Sequence, residues 1–301
     1  MQLQKIIKNL KFNHLLLVVS AMSAPLQASA IDLQPGEVRA PMAGRSVVQF
    51  STVFSQRTDY YKNRLKQPKQ PQRPEYQALQ YQFRLAHAFE IDEQPAIVYA
   101  QLPITNVQPE ESSFSGDSGI GDATLAFGYW PYANRETQTY FGVAAYLIAP
   151  TGSYSDRRIF NVGENRYRGA LQLGVQTPII DSLTWMAALD TVWSGKNNDC
   201  GLACQNAQTL EQKPLYTLQS GLSYLINPTF SLSTAYFYSV GGETSWDGVN
   251  KNNLTQLQRY QVSGMANFSF GRILLQYGGD LDTRNGYLED SRWIVRYIKP
   301  F

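Results

Sequence analysis

The residues of this chain with the most chemistry to offer are arginines. Six of them, Arg84, Arg168, Arg259, Arg272, Arg292 and Arg296, fall on the polar register of short alternating runs. Asp190 is the one clear acid on the same register. Guanidinium groups pair with planar carboxylates and stack on aromatic rings, so such a set suits the recognition of anions, aromatic carboxylates above all. The competing outcome is neutralisation, in which loop acids such as Asp280 or Asp282 pair with the arginines and plug the space they line. Catalysis has less to draw on. After the first thirty residues the only histidine is His87, in Leu85-Ala86-His87-Ala88-Phe89, with no serine two positions on. A nucleophilic hydrolase needs a serine beside a histidine base, so His87 reads as an interface histidine and the chain as a non-enzyme. Cys200 and Cys204 have no neighbouring histidine and make a poor zinc shell. They read as a small loop disulfide, and neither metal nor cofactor is expected.

For the arginines to share one face, the elements that carry them must be strands, whose successive side chains point to opposite sides. The last eleven residues, SRWIVRYIKPF, show this most clearly. Trp293, Val295, Tyr297 and Phe301 share one parity, against Arg292, Ile294 and Arg296 on the other. A second clear dyad sets Leu79, Tyr81, Phe83 and Leu85 against Gln80, Gln82, Arg84 and Ala86. Runs of this kind recur from Arg45 to Phe301, and twelve are predicted. Six long polar connections, including Gln56–Glu75, Thr105–Asp122 and Gly279–Asp290, alternate with five short turns. That rhythm predicts an all-β fold, a transmembrane antiparallel up-and-down barrel with short turns on the periplasmic side and long loops outside. A twelve-strand soluble meander would leave exposed edges that closure removes. Arginine facing lipid at mid-membrane costs about 2–4 kcal/mol, which assigns the arginine register to the lumen.

The amino terminus reads as a secretory signal peptide. Lys5, Lys8 and Lys11 precede an apolar run from Leu15 to Ala24, and Ala28-Ser29-Ala30 is a small-residue cleavage site. The apolar run is too short to span a bilayer, which takes roughly 20 residues. Cleavage takes Lys plus Arg from 26 to 23 against 24 Asp plus Glu, so the basic character of the whole chain belongs to its leader and implies no nucleic-acid partner. The expected organisation is a cleaved signal over 1–30, a periplasmic tether over 31–44 and an outer-membrane barrel over 45–301. The final aromatic strand ending in Phe301 resembles the signal read by the barrel-assembly machinery. Outer-membrane lipids and a small-molecule solute are the other expected partners.

Three stretches carry a family resemblance. Ile31-Asp32, Pro35-Gly36-Glu37 and Ala40-Pro41 form the first, and Ser118-Gly119-Ile120-Gly121-Asp122 the second. The third joins Ala149-Pro150-Thr151-Gly152 to Asn161-Val162-Gly163-Glu164-Asn165-Arg166-Tyr167. Together they resemble the outer-membrane transporter family associated with meta-pathway phenol degradation. The resemblance implies passive uptake of small, often hydrophobic or aromatic compounds. The basic Pro/Gln loop and the cysteine pair depart from it. The Gly119/Gly121/Asp122 group has no Walker lysine and no helix after it, so it reads as turn geometry rather than a phosphate cradle. Asp156-Arg157-Arg158 reads as a solvated loop salt bridge. A structural or adhesive barrel with a plugged lumen is the main alternative, and a barrel hydrolase a lesser one.

Overall fold

A computed structural model describes residues 32–70, 73–110 and 114–301. The expected signal peptide lies outside the described residues. Twelve long antiparallel strands form the wall. The first six are β1 (Ser46–Lys62), β2 (Tyr76–Ile91), β3 (Gln94–Pro109), β4 (Ala123–Asn134), β5 (Thr139–Ala149) and β6 (Arg168–Ile180). The rest are β7 (Leu183–Ser194), β8 (Leu215–Leu225), β9 (Phe230–Gly241), β10 (Thr255–Phe268), β11 (Gly271–Thr283) and β12 (Gly286–Pro300). Each pairs with its sequence neighbours, and β12 returns to β1 to close the barrel. The seam runs from Val47 opposite Pro300 through Gln56 opposite Ser291 and, with shifted register, to Tyr61 opposite Gly286; at the turn end the backbones of Ser46 and Phe301 exchange two further hydrogen bonds.

Burial follows the alternation with the sign opposite to that of a soluble protein. Phe83, Leu85, Trp293 and Val295 are about half exposed on the outer surface. Gln49, Ser51, Gln172, Thr217, Gln219, Ser263 and Gln276 are buried inside. A polar interior within an apolar belt is the pattern that lipid on the outside and water or protein on the inside would select. No helix among the described residues is long and apolar enough to cross a membrane.

The strands outrun the sequence reading at the loop end. β1 continues to Lys62 and β3 to Pro109, where long loops were expected from Gln56 and Thr105. The expected loop Gly279–Asp290 reduces to the tip Arg284-Asn285, leaving five long connections rather than six. Above the lipid belt an outward residue need not be apolar, so alternation disappears while backbone pairing continues. The register also changes there. β11 and β12 pair with each other only as far as Gly278 opposite Arg292, beyond which β11 stays with β10 and β12 with β1.

The long connections fold over the barrel mouth. Asp117–Ile120 adds a short strand to β3, and Leu210–Gln212, Thr244–Trp246 and Val249–Asn250 form a small separate sheet. Cys200 and Cys204 are joined by a disulfide across a single turn of 3-10 helix, against Leu210 and Trp246 of that sheet.

Candidate functional site: an occluded lumen

The segment preceding β1 does not stay outside the wall as a tether. It enters the lumen from the turn end. Pro35-Gly36 makes it fold back: Pro35 fixes one φ, Gly36 takes φ +82°, and the Glu37 N–H donates to the Gln34 carbonyl at 3.0 Å. This is type II turn chemistry, in which glycine supplies the positive φ. The turn presents two carboxylates to the wall. Asp32 bridges Arg259 of β10 and Arg292 of β12, the latter at 3.3 Å. Glu37 accepts a hydrogen bond from Arg84 of β2 at 3.0 Å and lies 3.7 Å from Arg296 of β12.

Neutral contacts complete the seating. The Leu33 N–H donates to Gln219 Oε1 at 2.9 Å, and Gln276 donates to the side chain of Gln34. Leu33 and Val38 pack on Met186 and Ala188. Trp130 Nε1 donates to the Val38 carbonyl at 2.6 Å, and Arg135 to that of Pro41 at 2.8 Å. Gly44 then joins the Ala88 carbonyl at 2.8 Å and leads the chain into β1.

Residues 150–167 reach across the loop end. Phe160 enters a cluster with Tyr76, Val107 and Tyr287, flanked by Tyr60. The lid is held by two aspartates. Asp117 accepts from the Val162 N–H at 3.0 Å and pairs with Arg158. Asp122 accepts from the Gly152 N–H at 3.0 Å and the Glu164 N–H at 2.9 Å. Asp122 therefore clamps a distant loop instead of folding onto its own neighbours, as the sequence reading had it. Gly152 and Gly163 cross so closely that a Cβ on either would lie within 3 Å of the other's backbone. Arg158 is tied to a buried acid rather than to a solvated partner, so the Asp156-Arg157-Arg158 reading is only half right.

Between plug and lid lies a cavity of about 300 Å³. Arg84, Arg168, Arg292 and Arg296 line it, with Tyr99, Tyr146, Gln82 and Gln101. Arg84 is stacked over the Tyr99 ring, 4.3 Å from its centroid, and donates to Gln101 Oε1 at 3.0 Å. The remaining expected site residues lie elsewhere. Arg259 is drawn to Asp32 and stacks on Phe237 at 4.5 Å. Asp190 is buried and accepts from Gln219 at 2.7 Å. Arg272 is near the turn end, donating to Asn267 at 2.7 Å, apart from the others.

The expected neutralising partners also change. Arg292 pairs with Glu289 at 2.6 Å and with Asp32, and Arg57 pairs with Glu289. Asp282 instead meets Arg64 at 3.5 Å, and Asp280 accepts the Glu289 N–H at 2.7 Å. Sequence reasoning missed Asp32, Glu37 and Glu289. The usable signal was the imbalance itself, since an inward excess of six arginines over one aspartate demands acids from somewhere. Among the described residues no group of three or more His, Cys, Asp or Glu is placed to hold a metal.

His87 does meet a serine, across the sheet rather than along the chain. Ser46 Oγ of β1 lies 3.0 Å from His87 Nδ1 on the exposed outer wall.

A closed twelve-strand barrel with an apolar exterior, a polar interior and an internal cavity defines the class: a bacterial outer-membrane channel barrel. The model of the family described as "Putative MetA-pathway of phenol degradation" matches residues 72–295, and the chain belongs to that family. The COG4313 outer membrane channel from Pseudomonas putida F1 superposes with a TM-score of 0.83 at 25% identity, covering 90% of this chain and 100% of that one. The beta domain of the Bordetella autotransporter BrkA superposes at 0.52 and 10% identity, over 85% of this chain and 100% of its own, and shares the fold alone. No curated protein matches the chain.

Proposed function

We propose that this channel mediates passive uptake of small aromatic compounds, anionic ones included, and rests with its lumen closed by its own amino-terminal segment. The observation that supports this reading is the cavity where five arginines, Arg57 among them, and two tyrosines converge between the amino-terminal segment and the loop over residues 150–167. Its volume of about 300 Å³ is at the small end of ligand pockets, which run from roughly 300 to 1,000 Å³. Family membership favours a phenol-related solute. The leader over 1–30 would direct export, Phe301 would engage the assembly machinery, and the apolar belt would contact outer-membrane lipid.

The structural or adhesive alternative draws on the same occlusion, since a permanently plugged barrel would transport nothing. Conductance in planar bilayers and swelling of liposomes with phenol and benzoate separate the two. Low conductance is expected from the mature protein and a several-fold rise after deletion of residues 32–44, with heat-modifiability confirming a folded barrel. Folded protein that stays silent in both forms would overturn the channel reading. A hydrolase reading draws only on the Ser46–His87 pair. It fails if Ser46→Ala leaves any esterase activity of the purified protein unchanged.

A further inference from the structure

A carboxylate already lies against two of the arginines that line the cavity. Glu37 reaches Arg84 and Arg296 from beneath, and both arginines line the cavity from its sides. The fit is incomplete. Arg296 is 5% exposed, and its Nη1 donates no hydrogen bond although Glu37 is only 3.7 Å away. A buried guanidinium nitrogen within ion-pair distance of a carboxylate but short of a hydrogen bond leaves room for a carboxylate that fits more closely, because an unmade buried bond to a charged group is costly. Arg84 adds the other half of the recognition. Its guanidinium is held by Gln101 and stacked on Tyr99, and Tyr146 packs edge-on against Tyr99 at 6.2 Å.

We infer that Arg84, Arg296 and Tyr99 form the binding subsite for an aromatic monocarboxylate. At rest Glu37 occupies the carboxylate position, and an incoming solute displaces it and loosens the amino-terminal segment. The inference rests on the channel reading above and names its solute class and its trigger. The chemistry is a competition between two carboxylates for one pair of guanidinium groups. The solute brings a ring that can stack beside Tyr99, which Glu37 cannot do. Losing Glu37 leaves Asp32 bonded to Arg259 and Arg292, so the segment is released stepwise. A neutral phenol has no group to compete with Glu37 and would not open the segment by this route. Apparent affinity for the carboxylate is lowered by the fraction of barrels in which Glu37 is docked.

The test uses the full mature protein in detergent with benzoate and phenol as probes. Calorimetry should show benzoate binding about tenfold more tightly to Glu37→Gln than to wild type, in the usual range of coupling between sites. Arg296→Ala should abolish binding. Arg296→Lys, which keeps the charge and loses the fork, should weaken it and guards against misfolding of the alanine variant. Maleimide labelling of Val38→Cys, a buried position in the plug, should accelerate saturably with benzoate and not with phenol. Equal benzoate affinity in wild type and Glu37→Gln, equal effects of phenol and benzoate, or intact binding in Arg296→Ala would each overturn the inference. Liposome flux keeps the two readings apart. Phenol flux without benzoate binding removes this inference and spares the channel, whereas absence of flux from both full-length and deleted protein removes the channel.

Discussion

At the residue scale, two carboxylates a single turn apart control the charge of the lumen. Burial alone would raise the Glu37 carboxyl, but Arg84 and Arg296 outweigh it and hold the group below its ordinary value of 4.5. A carboxylate whose pKa is depressed on docking contributes stability above its undocked pKa and loses it as pH falls through the docked one. Conductance should therefore rise as pH drops below about 4.5, and Glu37→Gln should conduct at neutral pH and lack that step. Single-channel records across pH 3 to pH 7 check both. Asp32→Asn removes a charged partner of two arginines. At about 1.5–3 kcal/mol for hydrogen bonds to charged groups, it should lower the docking equilibrium constant, and so raise the undocked population, roughly tenfold or more, read as labelling of Val38→Cys. The disulfide is a different matter. Its ring is far shorter than the 15-residue loop for which about 3 kcal/mol is expected, so reduction should move the thermal midpoint little, and mass spectrometry of envelope protein should find no free thiols.

At the element scale, the strands were legible where lipid dictated their pattern and illegible above it. Phe83-Arg84-Leu85 and Trp293-Ile294-Val295-Arg296 announce themselves because one face must be apolar. The upper parts of β1, β3, β11 and β12 carry no such requirement, and Tyr287 and Glu289 turn inward to serve the lid and Arg57. Half of the candidate site was visible for the same reason. The arginines follow from strand parity, whereas Asp32 and Glu37 are in a segment with no periodicity, where only the Pro35-Gly36 turn hints at a fixed shape. Likewise the cross-strand meeting of Ser46 and His87 is a matter of register between β1 and β2, which linear spacing does not encode. The loop over residues 150–167 depends on a backbone crossing that admits no side chain. Gly152→Val should unseat the lid without disturbing the wall, seen as higher conductance with unchanged heat-modifiability.

At the scale of the whole molecule, the charge that matters for transport is the charge left after the plug is accounted for. With the segment docked, Arg84, Arg259, Arg292 and Arg296 all face acids, and little field remains to select ions. With residues 32–44 deleted, Arg84, Arg259 and Arg296 lose those acids while Arg292 keeps Glu289, in a low-dielectric wall that focuses their potential. Reversal potentials in a salt gradient should then show clear anion selectivity, and cation selectivity would refute it. Phe301→Asp should cut membrane insertion while export continues, measured as the heat-modifiable fraction in the outer membrane. The positions of the plug's partners carry one more consequence. Asp32 grips β10 and β12, and Glu37 grips β12 and β2, so the segment's bonds fall on both flanks of the junction between the first and last strands. A cylinder made from one rolled sheet closes along that line, and here a strap leads directly from the first strand to fasten both of its sides. Fastening across the seam and docking in the lumen thus fall to the same thirteen residues, and a chain that has not drawn its two edges together has nothing across which the strap can be tied.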